Sequence, residues 1–107
     1  MQVHTRVDTV GSSIVVTVDG IVDLSSVGRL HVELTRAIGQ HPGVTLGVDL
    51  DAVGGLDDTG LGVLLGAAAV ARDGGGELEV VCTRPAVCDR LTRTRFDRAV
   101  TVRGSIT

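Results

Sequence analysis

Val44-Thr45-Leu46-Gly47-Val48-Asp49-Leu50-Asp51 alternates apolar with mostly polar residues, and Leu61 to Ala71 downstream is an unbroken run of aliphatic and small residues. A period of two is the pattern of a strand with one face more apolar than the other, whereas the segment from Asp58 or Thr59 to Arg72 has the length and composition of a helix. Pro42-Gly43 breaks the chain before the strand, Gly74-Gly75-Gly76 stops the helix, and Leu78 to Cys82 returns as a second strand. Strand, helix, strand is a βαβ unit, whose crossover makes its strands parallel and lays the helix on the sheet. Between the first strand and the helix, Ala52-Val53-Gly54-Gly55-Leu56 reads as a loop.

Outward from this unit, Val3 to Val7, a turn at Gly11-Ser12-Ser13 and Ile14 to Val18 predict a hairpin whose second strand stops at Asp19-Gly20. From Leu24, the apolar positions Val27, Leu30, Leu34 and Ile38 follow helical spacing; Asp23, Ser25 or Ser26 suits the cap and Gly39 the end. Pro85 opens a third helix reaching about Arg93, and Val100-Thr101-Val102 predicts a last strand. The fold class is therefore α/β: one domain over residues 1–107, with a central mixed sheet, an N-terminal hairpin, βαβ crossovers and helices packed on the sheet. A chain of this length buries roughly 60 to 70% of the surface it exposes when unfolded, enough for one core.

Composition narrows the function. One Phe, no Trp and no Tyr leave nothing on which bases would stack, and a net charge of -3 with ten scattered Arg gives no basic stripe for phosphates, so no nucleic-acid partner is expected. The N-terminus has no apolar signal segment and Leu61 to Ala71 is too short to span a bilayer, which predicts a cytosolic protein with no membrane partner. Neither Cys nor any Ser has a base visible beside it in sequence, so no enzyme is predicted. Cys82 and Cys88, with His only at 4, 31 and 41, make neither a disulfide framework nor a zinc site, and no metal or cofactor is expected. The two cysteines read as small buried hydrophobes. Standing at a strand end and inside the next helix, they also form a possible redox pair if the connection is tight.

In open α/β sheets, functional groups gather beyond the carboxyl ends of the strands. Here that edge carries Asp23, Asp57-Asp58-Thr59-Gly60 and Thr83. The start of a helix offers unpaired N–H groups and a dipole that favours negative charge, so Asp57 or Asp58 equally suits a plain cap. The helix that follows is apolar all round: Leu61, Leu64, Leu65 and Ala68 form one face, and Gly62, Val63, Gly66, Ala67 and Val70 the other. A small domain has too few elements to cover both faces, so the second reads as a docking surface beside a hydroxyl.

Val48-Asp49-Leu50 followed by Leu56-Asp57-Asp58-Thr59-Gly60-Leu61-Gly62-Val63-Leu64-Leu65-Gly66 resembles the STAS-domain anti-sigma factor antagonists, in which a strand ending in Asp-Leu leads to Asp-Ser-Ser/Thr-Gly-Leu-Gly. Gly20-Ile21-Val22-Asp23, Gly74-Gly75-Gly76-Glu77-Leu78 and Arg84-Pro85-Ala86-Val87 match that family's other segments in spacing, so the likeness covers nearly the whole chain. The resemblance implies a binding module rather than an enzyme. Unphosphorylated, it would bind an anti-sigma factor that is also a serine/threonine kinase, releasing a sigma factor; phosphorylation would end that binding. It implies Thr59 as the phosphoacceptor with Asp23 and Asp57 as neighbours; Asp58 stands beside them, and the outer face of the helix makes Gly60, Gly62, Val63, Gly66, Ala67 and Val70 the expected partner-binding surface of a monomer or weak dimer.

The sequence departs from the family at Asp58, where a hydroxyl residue is usual, at Gly54-Gly55, where a bulkier pair is usual, and at Arg95, where the third helix often ends in Gly. Two other readings compete. A STAS module that is not phosphorylated would serve as a scaffold or decoy. Asp49, Asp51, Asp57 and Asp58 suit a metal-assisted phosphoaspartate receiver, but proteins of that kind depend on a Lys and this chain has none.

Overall fold

Valine, leucine and isoleucine at alternate positions of four strands build one apolar surface, and the helices close over it. The computed structural model describes residues 3–104. In chain order these form β1 (Val3–Val10), β2 (Ser13–Val22), α1 (Val27–Gln40), β3 (Thr45–Leu56), α2 (Asp58–Asp73), β4 (Glu77–Val81), α3 (Pro85–Arg93), a 3-10 turn at Phe96–Arg98 and β5 (Thr101–Arg103). The sheet runs β1-β2-β3-β4-β5. β1 and β2 are antiparallel, and every later pairing is parallel, so the expected mixed α/β sheet is present.

Leu46, Val48 and Leu50 of β3 are buried, while Thr45, Asp49 and Asp51 on its other face are exposed or half-buried. α1 and α2 pack against one another, and their Leu30, Leu34, Leu61 and Leu64 join one core with Val16, Val18, Leu78 and Val80 of the sheet. Burying each such side chain contributes about 1.5–3 kcal/mol. Phe96, the single aromatic residue, closes the core beneath α3 together with Val87 and Leu91.

Two strands outrun their sequence boundaries. β2 continues past Gly20 to Val22, and β3 takes in Ala52 to Leu56, the stretch read as a loop. The cause is mutual pairing: Ala52, Val53, Gly55 and Leu56 lie opposite Asp19, Gly20, Ile21 and Val22, with register shifts between Thr17 and Asp19 and between Gly20 and Ile21. Ile21 lies over both glycines; a Cβ on Gly54 would stand 3.1 Å from its Cδ1. β1 likewise extends to Val10, because the turn is confined to Gly11 and Ser12.

α1 begins at Val27 rather than Leu24, and Leu24 is 77% exposed. Ser26 does not cap the helix with its side chain. Its hydroxyl instead accepts from the Asp23 N–H at 3.0 Å and donates to the Ile21 carbonyl at 2.6 Å, holding residues 23–26 in a turn. Gly39 lies inside the helix, which runs to Gln40. β5 begins one residue later than expected, since Val100 is buried in the core ahead of it.

Candidate functional site

β2 and β3 end together, Val22 opposite Leu56, and the Asp57 N–H donates to the Val22 carbonyl at 3.1 Å. This register sets Asp23 and Asp57 side by side at the carboxyl edge of the sheet, each leading toward a helix. The Asp57 backbone is extended, and its carboxylate caps α2 by accepting from the Gly60 N–H at 3.1 Å. The same oxygen accepts from the Thr59 hydroxyl at 2.5 Å. Thr59 is exposed, so its oxygen faces solvent with one rotamer favoured by Asp57.

These two bonds, the Thr59 hydroxyl first and the Gly60 N–H second, hold the Asp57 carboxyl below its ordinary 3.8, while the charge of Asp23 works against them. Asp23 is lowered chiefly by the Ser25 hydroxyl, at 2.6 Å, supported by the Ser25 N–H at 2.9 Å. Asp23 is thus a neighbour of the Thr59 segment, with its carboxylate committed to the turn before α1. Because the folded-state values are depressed, the stabilisation from both carboxylates is present above about pH 3.8 and is lost as pH falls through the lowered values. Removing the hydroxyl by Thr59→Val is expected to raise the Asp57 titration midpoint toward 3.8, followed by carboxyl-carbon NMR. An unchanged midpoint would mean that Gly60 alone sets it.

Asp58, the unusual residue of the motif, turns away from this arrangement. Its side chain, 88% exposed, meets the Arg90 guanidinium of α3 at 2.7 Å. An exposed pair of this kind contributes about 0.2–1 kcal/mol to stability, so its value lies in direction rather than strength. Arg90 had no signal in the sequence. Two further links escaped it as well. Asp51 accepts from the Thr83 N–H at 2.6 Å and from its hydroxyl at 3.0 Å, and Arg84 donates to the Val53 carbonyl at 2.8 Å. These contacts tie the start of α3 to the end of β3. Asp49 accepts from the Asp51 N–H, and among the described residues no group of three His, Cys, Asp or Glu is placed to hold a metal.

The face of α2 divides differently from its sequence reading. Gly60, Leu61, Leu64, Ala68 and Ala71 are buried, whereas Leu65, expected among them, is 40% exposed because it falls one helical step past Leu64. Val63 and Ala67, expected outside, are half-buried against the edge of the core. The open strip is Gly62, Leu65, Gly66, Ala69 and Val70. A Cβ on Gly62 or Gly66 would meet nothing within 4 Å, so packing within the domain does not require those glycines. Gly60 is the opposite case. A Cβ there would stand 2.6 Å from Leu56 Cδ1 and 2.7 Å from Val22 Cγ1, which removes Gly60 from any partner surface and makes it the seat of the helix.

The sequence model of the STAS domain matches residues 2–107. The chain belongs to the STAS domain family. Among curated proteins no significant match is found. Solved structures resemble the fold: an anti-sigma factor antagonist from Mycobacterium paratuberculosis is 24% identical with a TM-score of 0.86, covering 97% of this chain and 87% of that one. The anti-sigma factor antagonist SpoIIAA in its unphosphorylated form is 18% identical with a TM-score of 0.70, covering 95% and 89%. The Bacillus cell fate determinant SpoIIAA in the phosphorylated form is 17% identical with a TM-score of 0.66, covering 92% and 90%. Among the described residues of this STAS domain, no helix is long and apolar enough to cross a membrane.

Proposed function

We propose that this STAS domain is an anti-sigma factor antagonist switched by phosphorylation of Thr59. In its unmodified form it binds an anti-sigma factor that is a serine/threonine kinase, and so frees a sigma factor for transcription. The observation that carries the reading is the exposed Thr59 hydroxyl, bonded to Asp57 at 2.5 Å in the first turn of α2 and bordered by an apolar strip of small residues. That SpoIIAA has been solved in both unphosphorylated and phosphorylated forms lends support from a protein of the same fold.

The chemistry needs little from this chain. The Thr59 oxygen attacks the terminal phosphate of ATP held by the kinase, its proton is taken up, and ADP leaves. With its carboxyl held low, Asp57 is a weak base; it serves to aim the hydroxyl, and the kinase supplies the proton acceptor. Gly62 and Gly66 let a partner backbone approach the helix closely, while Leu65 and Val70 offer apolar area beside it. Asp58, paired with Arg90, adds less net charge next to the acceptor than its position in the motif suggests.

Incubation with the cognate kinase and ATP, followed by intact mass and fragment mapping, tests the assignment. One phosphate on Thr59 is expected, and none on Thr59→Ala, which is expected still to bind the kinase. Phosphate on another residue would overturn the acceptor assignment. Tight binding with no phosphate transfer would put the unphosphorylated scaffold in its place.

A further inference from the structure

Cys82 follows directly on β4, and its N–H still pairs with the Arg103 carbonyl of β5 at 2.9 Å, so it is fixed in the sheet. Cys88 lies one turn into α3, where its N–H is bonded to the Arg84 carbonyl at 3.0 Å. Thr83 and Arg84 between them are tied to Asp51 and Val53 of β3, which draws the start of α3 tightly back over the strand end. The two sulfurs consequently lie 3.0 Å apart, and Cys88 Sγ also lies 3.3 Å from the Cys82 carbonyl oxygen. Bonded sulfurs sit about 2.0 Å apart, so closure needs a shift of only about 1 Å.

The two thiols differ in access. Cys82 is buried, and burial first and the Cys88 thiol second push it up to about 12, so it remains a protonated thiol. Cys88 is half-buried and lines an open hollow of about 450 Å³ with Leu91, Thr92, Asp97, Thr101 and Val102. A peroxide fits there with room to spare.

From this arrangement we infer that Cys82 and Cys88 are a peroxide-sensitive modification site that closes to an intramolecular disulfide. In the first step the Cys88 sulfur, as thiolate, attacks one peroxide oxygen; the O–O bond breaks, Cys88 becomes a sulfenic acid, and hydroxide leaves, protonated to water. In the second step Cys82 attacks the sulfenic sulfur, the S–S bond forms, and the displaced hydroxyl takes the Cys82 proton to leave as a second water. Two thiols have lost two electrons, and the peroxide has gained them.

The disulfide pins the first turn of α3 to β4, and α3 carries Arg90, the partner of Asp58 beside Thr59. Oxidation is thus felt at the carboxyl edge of the sheet, whether or not Thr59 is phosphorylated.

The reduced chain treated with hydrogen peroxide is expected to lose the mass of two hydrogens, run as a monomer on a non-reducing gel, and yield a Cys82–Cys88 cross-linked peptide. Dithiothreitol should restore two alkylatable thiols. Closing so short a loop is expected to raise Tm by roughly 5 °C or more. Cys82→Ala should leave a sulfenic acid on Cys88 that dimedone traps, and Cys88→Ser, at the half-buried position, should leave Cys82 unreacted. Two free thiols after treatment, a covalent dimer, or oxygen added to Cys88 without loss of hydrogens would overturn the disulfide. Amide NMR shifts of Asp58 and Thr59 should move on oxidation; unchanged shifts would overturn its coupling to the Thr59 segment.

Discussion

Thr59→Glu is expected to weaken binding to the anti-sigma factor kinase about a thousandfold, a loss of about 4 kcal/mol, while leaving the circular dichroism spectrum as in the wild type. Phosphate at this position brings roughly -1.5 to -2 charges, and Glu supplies part of that change. The first turn of α2 tolerates the added charge: its free N–H groups and dipole contribute about 0.3–1 kcal/mol toward a negative group there. The hydroxyl proton that Asp57 holds is lost in either case, and the new charge stands beside the Asp57 carboxylate with Asp23 close behind. Neither change is expected to unfold the domain, so the cost should fall on the complex. A partner surface shaped around a neutral hydroxyl between carboxylates would have to accept further charge and bulk at its centre, where desolvation is most costly. Isothermal titration with wild type, Thr59→Ala and Thr59→Glu decides the matter. Retained affinity in Thr59→Glu would remove the switch from this residue.

The second large effect is on stability. Gly→Ala in a helix ordinarily stabilises by about 0.5–1 kcal/mol, and Gly62→Ala and Gly66→Ala, where the new methyl meets open space, are expected to do so. Gly60→Ala should reverse the sign and cost about 2 kcal/mol. Its methyl would be driven against Leu56 and against Val22, which is fully buried and has no free rotamer to yield. Urea unfolding of the three variants side by side measures the contrast. In a double-mutant cycle Gly60→Ala should cost less in a Leu56→Ala background than in the wild type, whereas equal stability of Gly60→Ala and Gly62→Ala would mean that the first turn of α2 does not press on the sheet.

The alternation from Val44 to Asp51, the run after Asp58 and the glycine stop at 74–76 made the central unit readable, because each signal is local. What the sequence hid is what distant residues do to one another. Gly54-Gly55 looks like a break until Ile21, more than thirty positions earlier, lies over it and the pairing of β2 with β3 carries both strands to the sheet edge. Leu24 fits the helical spacing of α1, but Ser26 prefers the Ile21 carbonyl and the Asp23 N–H, and α1 starts later. Within the motif, Asp57 and Thr59 stood out because cap and hydroxyl lie two residues apart, whereas Gly60, read as part of the partner surface, is buried against Val22 and Leu56. Asp58 stood out only as a departure from the motif, and its pairing was hidden because Arg90, which faces it, is supplied by α3. Arg95 adopts the left-handed conformation, with φ 61°, so the chain makes the turn before Phe96 with a residue less suited to it than glycine.

The contact of Gly60 with Val22 and Leu56 also bears on time. A helix seated this closely on the ends of two strands leaves little room for a second position, so under the proposed switch phosphorylation of Thr59 is expected to set off no refolding and no slow domain movement. The state of the protein then changes as fast as phosphate is added or removed, and the complex responds within its own dissociation time. Any delay in a circuit built on this domain belongs to the enzymes acting on it and to the lifetime of the complex, and none of it to relaxation of the domain itself.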